Sequence, residues 1–393
     1  MEPLAGIRII DVTTNASGPM ATGILADQGA DVIRFETVGS GDPSRHVGGV
    51  RGGVSAYTAY MNRNKRSMAV DLKHADLRPA LYKIIESADV FVQNSRPGAL
   101  DRCGYGFDDL HRVNPRLIYV SISGFGATGP AAGQRVYDPL IQCVAGFAAA
   151  QGTAGTPGLV KTIVSDKVAA VTAAQAIAAA LFARERGTIG GHHVELSMLD
   201  ASLAFLWPEV FWNQGFVGDE GFQPKPLIAD FYRLLRTVDG YITVIIVGDG
   251  EFAGVCRVLG LEKMLQDPRF KTLSDRFVNY AAILTELEQA VATWKSDALI
   301  AELEKADVPC AKANTLEAVQ DDPRVTHGPS IIEYDHPQGG RLRQARPPAI
   351  FDGDPCAIRR PSPALGEHTE ELLRSVGCTN ETIAEFKRGK AIG

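Results

Sequence analysis

The chain has 393 residues, 45% of them hydrophobic and 22% charged, the composition of a globular protein with ample core and room for two or three domains. A formal net charge of −6 and a pI near 5.8 exclude a general attraction to nucleic acid or to an anionic membrane, so an anionic ligand must be held by local basic residues. The N-terminus, MEPLAGIRIIDV, has no basic segment followed by a long apolar one and does not read as a signal peptide. Cys103, Cys143, Cys256, Cys310, Cys356 and Cys378 are scattered, with no CxxC and no histidine cluster. Neither structural zinc nor a disulfide framework is expected, and a reduced cytoplasmic protein is.

In chain order, residues 7–12 predict a strand, 13–19 a loop, 20–28 a helix ending at Gly29, and 31–36 a second strand. A glycine-rich, basic stretch runs from Gly39 to Arg66. Strand 67–72, helix 77–87, strand 90–93 and strand 117–121 follow. Strands separated by helices predict a parallel sheet in an α/β domain. The segment KTIVSDKVAAVTAAQAIAAAL (161–181) reads as a short strand, Thr162 to Val164, running into an alanine-rich helix. Its apolar part, 168–183, is interrupted by Thr172 and Gln175 and reads as a buried helix rather than a membrane span. Residues 193–197 predict another strand, and 210–228 a crossover. From Phe231 to Ala313 a hairpin (232–238 and 241–247 about Asp239-Gly240) and several helices predict a smaller α+β domain. The last sixty residues suggest short strands, proline-rich turns and a closing helix near 367–388.

The first strand–turn–helix–strand, ending in Glu36, has the outline of a dinucleotide-binding unit. Its turn, VTTNASGPM, holds one glycine where the fingerprint needs three, which argues against NAD. His192 and His193 are adjacent on a strand and point to opposite faces, so no metal is expected there. At the junction Ser165-Asp166 two readings stand. Either residue caps the helix, or the helix N-terminus holds Asp166 ionised and aimed at a pocket.

Several stretches together resemble the family III CoA-transferases (CaiB/BaiF type), which include the formyl-CoA and carnitine CoA-transferases. They are LAGIRIIDVTTNASGP (4–19), LADQGADVIRFET (25–37), GSGDPSR (39–45), MNRNKRSMAVDLK (61–73), ADVFVQNSRPGALDRCGYGFDDL (88–110), NPRLIYVSISGFGATGP (114–130), VYDPLIQCVAG (136–146), VSDKVAAVTAAQAIAAAL (164–181) and ALGEHTEELL (364–373). The resemblance implies a large Rossmann-like CoA-binding domain from residues 1–215 plus 335–393, a smaller α+β domain at 216–334, and an interlocked homodimer. It implies no permanently bound cofactor. Coenzyme A would enter as the acyl-CoA substrate, and the other partner would be an acceptor carboxylic acid.

The same resemblance implies that Asp166 is the nucleophile, working through mixed-anhydride and aspartyl-CoA thioester intermediates. An anhydride is about as reactive as the substrate thioester, so no intermediate becomes a deep trap. The helix N-terminus would lower the Asp166 pKa while Ser165 caps. Tyr137, Asp138 and Gln142 fall in a matching segment. A hydroxyl and an amide there would serve the anhydride, or VYDP is simply a strand-to-helix turn with Asp138 as cap. CoA contacts are carried over to Asn15, Ala16, Val70, Lys73, Asn94, Ser95, Arg102, Cys103 and Arg135. Two departures stand out: Thr37 where members often have arginine, and Ala16 where they often have glutamine. The related α-methylacyl-CoA racemases pair the aspartate with a histidine at the position of Tyr137. Tyrosine, with a reference pKa near 10, is a poor base there. A non-catalytic acyl-CoA-binding protein is the remaining alternative. The glycine run of the formyl-CoA transferases is missing; GDEGFQPKP (218–226) and VGDGEF (247–252) come nearest. Arg45, Arg51, Arg63 and Arg66 are candidates for a second carboxylate of a dicarboxylic substrate.

Overall fold

The computed structural model describes residues 2–153, 155–187, 190–218 and 220–393; Asp219, within GDEGFQPKP, lies outside them. Chain contacts divide the molecule into two units, Met1–Pro208 with Gly328–Gly393, and Glu209–His327.

The large unit begins with β1 (Arg8–Asp11), α1 (Ser17–Asp27) and β2 (Asp31–Glu36). A short ribbon, β3 (Val50–Arg51) with β4 (Val54–Ser55), and α2 (Ala56–Asn62) lead to β5 (Lys65–Ala69). Then come α3 (Arg78–Glu86), β6 (Val90–Gln93), α4 (Phe107–Val113) and β7 (Ile118–Ser123). Three helices follow, α5 (Asp138–Ala145), α6 (Phe147–Gln151) and α7 (Val164–Glu185), before β8 (His192–Ser197) and α8 (Met198–Val210). Strands β5-β2-β1-β6-β7-β8 form one sheet in that order, parallel throughout. β2 and β6 are buried on both faces, as strands covered by helices on either side are.

The order reverses at β1. The chain leaves β1 toward β2 and β5, then returns to add β6 on the other side. The loops after β1 and β6 therefore diverge and open a crevice at the carboxyl edge, where open α/β sheets bind their ligands. One face of the sheet holds the core of Ile10, Ile33, Phe91 and Tyr119 with Leu81, Leu372 and Phe386. α7 packs against α1, and its buried positions include Ala169, Ala170, Ala173 and Ala174. Small residues there let the two helices approach closely. α7 is long and apolar enough to cross a membrane by length and composition. One face is buried in the unit, while Val171 and Phe182 on the other are exposed.

Three expectations are corrected. Residues 162–164 form no strand. The Thr162 and Val164 N–H groups bond the Val160 and Thr162 carbonyls instead, and Gln142 braces the stretch, accepting from Val160 N–H at 2.9 Å and donating to Thr162 C=O at 3.1 Å. The first helix starts at Ser17, inside the expected loop. The closing helix is two, separated around Gly377 in the left-handed region.

In the small unit β9 (Leu235–Arg236), β10 (Tyr241–Val244) and β11 (Cys310–Lys312) pair antiparallel. α9 (Asp249–Leu259), α10 (Leu273–Val278), α11 (Tyr280–Val291) and α12 (Ser296–Lys305) lie between β10 and β11, and α13 (Pro323–His327) follows β11. Its own core includes Ile242, Phe252, Ile283, Leu287 and Leu299. VGDGEF starts α9, with Glu251 accepting from the Val247 and Gly248 N–H groups at 2.7 and 2.8 Å. The chain then re-enters the large unit with the hairpin β12 (Ile331–His336) and β13 (Gly340–Ala345), the ribbon β14 (Ile350–Phe351) and β15 (Asp354–Pro355), α14 (Thr369–Ser375) and α15 (Asn380–Arg388). Ile392 bridges to Val70 beside the β5 edge.

Candidate active site

Three loops at the carboxyl edge, after β1, β6 and β7, surround a polar cleft of about 370 Å³ together with the start of α7. Of the residues proposed from sequence, Asn15, Asn94, Ser95, Arg135, Tyr137 and Asp166 line it. The structure adds Thr14, Ser17, Arg96, Ser123, Gln134 and Met198.

The first loop is held residue by residue. Thr13 N–H donates to Asp11 at 2.9 Å, Thr14 N–H to the Asn94 side chain at 2.8 Å, and Asn15 N–H to Asp42 at 3.0 Å. Asn94 returns a bond to the Thr14 carbonyl at 2.8 Å, so its amide ties two loops together. Asn15 sits at φ 64°, a conformation asparagine tolerates better than most residues. A side chain at Gly18 would place its Cβ 2.3 Å from Thr13, so only glycine lets the loop fold back there.

Beneath the loop lies a buried, charge-balanced network. Lys65 Nζ donates to Asp11 at 3.0 Å and to Thr22 at 2.8 Å. Arg34 bonds Asp42 at 2.5 Å and also Asn62 of α2. Arg45 grips Glu36 through two bonds of 2.7 and 2.6 Å. Burial opposes ionisation of Asp11, but Lys65 and Arg34 outweigh it and hold the carboxyl down at about 2. Burial, reinforced by the nearby Arg34 charge, lowers Lys65 to about 8 despite Asp11.

The start of α7 is built differently. Ile163 precedes the helix and provides no side-chain cap. The cap comes from another helix. Asp138, first residue of α5, accepts from Ser165 N–H at 2.7 Å and Asp166 N–H at 3.2 Å. Its second oxygen accepts from Gln142 at 2.6 Å. Ser165 does not cap; its hydroxyl is buried and has no partner among the described residues. Nor does the helix end lower the Asp166 pKa as expected. Burial, and then the Asp138 charge sharing those N–H groups, raise Asp166 to about 6. Hydrogen bonds from the Ser17 hydroxyl and backbone, at the start of α1, oppose that rise.

Asp138 and Gln142 are buried, mutually bonded and absent from the cleft wall, so they hold the site together rather than face a ligand. Tyr137 is 64% exposed on the cleft rim. Tyr57 of α2, missed in the sequence, feels the Asp166, Asp42 and Asp138 charges. Burial first, and those charges second, push it up to about 12. No local pattern marks Tyr57, which the packing of α2 brings within the field of those carboxylates.

Of the remaining proposed CoA contacts, Lys73 and Arg102 are exposed at the same carboxyl edge, following β5 and β6. Val70 and Ala16 are buried, and Cys103 packs on the core. These three offer a ligand little beyond their backbone. Arg96 and Arg135, exposed on the cleft, complement a phosphate-bearing ligand. The four arginines suggested for a second carboxylate are occupied elsewhere. Arg45 bonds Glu36, Arg51 the Gly339 and Arg341 carbonyls, Arg63 bonds Asp27, and Arg66 bonds Asp31. Among the described residues no group of three histidine, cysteine or acidic side chains could hold a metal ion.

A six-stranded parallel sheet with a carboxylate at its switch-point cleft defines an α/β enzyme architecture, and comparison with known proteins specifies it. The family model of CoA-transferase family III matches residues 4–369. The chain belongs to that family, and is thereby a transferase enzyme of the kind that uses CoA thioesters. It is 34% identical to an acyl-CoA transferase of Fusarium pseudograminearum over 98% of this chain and 87% of the relative. It is 33% identical to the acetyl-CoA:oxalate CoA-transferase of Acetobacter aceti over 95% of each. The crystal structure of a CaiB/BaiF family protein from Brucella suis superposes with a TM-score of 0.82 at 31% identity, covering 95% of this chain and 99% of that one.

Proposed function

We propose that the protein moves CoA from a donor acyl-CoA to an acceptor carboxylic acid with Asp166 as the covalent nucleophile. The observation that carries this is a single carboxylate on the cleft wall, met by Ser17 donors at the opening of α1. The Asp166 carboxylate adds to the thioester carbonyl, and the C–S bond breaks, giving an aspartyl anhydride and CoA thiolate. The thiolate attacks the aspartyl carbonyl and expels the donor carboxylate, leaving an aspartyl-CoA thioester. The acceptor carboxylate attacks that carbonyl, forming a second anhydride and releasing the thiolate. The thiolate then takes the acceptor's acyl carbon and regenerates Asp166.

The Ser17 N–H and the Tyr137 and Tyr57 hydroxyls are the donors for oxygen charge that develops in these steps. Tyr57, held neutral to about 12, remains a donor throughout the working pH range. Arg96 and Arg135 at the cleft, with Lys73 and Arg102 along the same edge, take the CoA phosphates. Tyrosine at position 137 leaves the racemase reaction without its second base. The exposed apolar side chains Val171 and Phe182 on α7, and Phe205 on α8, support assembly with a second copy of the chain. Which acids are exchanged is tested by incubating the enzyme with succinyl-, acetyl- and longer acyl-CoA donors, trapping with hydroxylamine, and mapping the label by peptide mass spectrometry. A hydroxamate at Asp166 that is absent in Asp166→Ala supports the reading. Its absence with every donor, alongside α-proton exchange into a 2-methylacyl-CoA, overturns it.

A further inference from the structure

Strands β6, β7 and β8 carry three polar side chains on one face of the sheet that the reaction steps above do not use. Gln93 stands opposite Ser121 in the β6–β7 register, and His193 stands opposite Tyr119, two residues before Ser121. Tyr119 and Ser121 share a face, because side chains alternate along a strand. The three polar groups therefore meet, and they form a chain. Gln93 Nε2 lies 2.9 Å from Ser121 Oγ, and Ser121 Oγ lies 2.9 Å from His193 Nε2. The His193 ring is held from two sides, stacked on Phe107 at 4.9 Å between centroids and edge-on to Tyr119 at 5.3 Å.

The other end of the chain reaches the cleft. Gln93 Oε1 accepts from Ser95 N–H at 2.7 Å. An N–H needs an oxygen there, so this bond decides which way the amide faces and leaves Nε2 to donate to Ser121. The Ser121 hydroxyl hydrogen is then directed at His193 Nε2, which places the ring proton on Nδ1. Each member thus has one orientation. Gln93 is buried and absent from the cleft wall, but the three residues after it, Asn94, Ser95 and Arg96, all line the cleft. Asn94 in turn ties this turn to the first loop through its two bonds with Thr14. Releasing Ser95 N–H would loosen the turn that presents Arg96 and the Asn94 tie together.

We propose that Gln93 is a positioning residue for the CoA-bearing substrate: its amide, oriented through Ser121 by His193, holds the Asn94–Arg96 turn in the shape that meets CoA. The proposal rests on the transferase reading for the identity of the ligand. Two measurements on the full-length protein test it, calorimetric titration with coenzyme A and the rate of Asp166 labelling at saturating acyl-CoA. Gln93→Met keeps the length and removes the acceptor. It should raise the Kd for CoA about 3- to 10-fold, the loss of one hydrogen bond, and leave the saturated labelling rate within about 2-fold. Gln93→Glu keeps an oxygen toward Ser95 N–H and should return the Kd to within about 2-fold of wild type.

The second Glu oxygen would accept the Ser121 hydroxyl, so Ser121 must then accept from His193 and the ring proton moves to Nε2. Nitrogen–proton correlation spectra, with His193→Phe used to assign the ring signals, should show Nδ1–H in wild type and Nε2–H in Gln93→Glu. A role in packing alone would not move that proton. Ser121→Ala cuts the chain one bond further out and should weaken CoA about 2- to 3-fold; it is the second variant if Gln93→Met does not fold, as judged by circular dichroism. The proposal is overturned if folded Gln93→Met or, in its place, Ser121→Ala binds CoA like wild type, if Gln93→Glu is as weak as Gln93→Met, or if wild type does not bind CoA. Asp166 labelled in wild type with CoA affinity unchanged by the variants sinks this proposal and leaves the transferase reading standing. The reverse, CoA affinity lowered as expected but Asp166 unlabelled by every donor, sinks that reading and supports this one.

Discussion

Asp11 and Asp166 are both carboxylates taken out of water in the large unit, yet their environments drive them in opposite directions. Asp11 lies among Lys65, Arg34 and two threonine hydroxyls and is held at about 2. Asp166 has no cation among its charged neighbours, shares a helix end with Asp138, and is raised to about 6. Burial acts alike on both, so the local cation count decides. The bed under the first loop is compensated and fixed. The end of α7 keeps an uncompensated carboxylate, and so retains a group whose conversion to a neutral acyl derivative relieves an electrostatic cost.

The sharpest way to break this contrast is Asp166→Asn. It should remove acyl labelling and reduce turnover by roughly 10³-fold or more, read in single-turnover kinetics. Next in size, Asp11→Asn leaves the Lys65 charge buried without its partner. It should cost about 3–5 kcal/mol in urea unfolding.

Asp166→Asn should move stability the other way. The folded-state pKa is raised, so the wild type binds an extra proton between about 4 and 6 and loses stability as pH rises through that window. The variant should therefore be more stable than wild type by about 1–3 kcal/mol at pH 8, with the difference gone below pH 4. For catalysis, kcat/KM should fall as pH drops through about 6, because the nucleophile is the ionised form. Asp138→Asn removes the neighbouring charge and should shift that acid limb to lower pH. The smallest expected effect is Tyr57→Phe, a roughly 3- to 30-fold loss in turnover with little change in KM, as for one removed hydroxyl donor.

Local pattern was enough for the alternating elements. The strand at Val90–Gln93 falls where its apolar run places it, because a parallel strand covered on both faces is written as a near-continuous apolar segment. Asp31–Glu36 is buried too, but it carries Arg34 inside it, paired with Asp42. The failure at Thr162–Val164 has a physical cause. Its three residues have β-type composition, but the Thr162 and Val164 N–H groups turn back onto the Val160 and Thr162 carbonyls, and Gln142, a side chain twenty positions earlier, donates to the Thr162 carbonyl. Similarly, Ser165 has the residue type of a cap and does not act as one, because Asp138 reaches the same N–H groups first.

The motif residues Asn15, Asn94, Ser95, Arg135, Tyr137 and Asp166 were named from sequence and line one cleft. Val70, Ala16 and Cys103 were named with them and turn out to be packed or buried. A motif records which residues travel together, without recording which side of the backbone faces the ligand.

The sequence by itself determined the α/β alternation, the family and the position of the candidate nucleophile, because periodicity and ordered motifs are properties of the chain. Only the tertiary structure decided which helix end Asp138 caps, why Asp166 titrates near 6 rather than below its usual value, and that Tyr57 stands close enough to feel it. Those outcomes depend on burial and on charges brought together from distant segments. Coulombic and desolvation effects are set by distance in space rather than by distance along the chain.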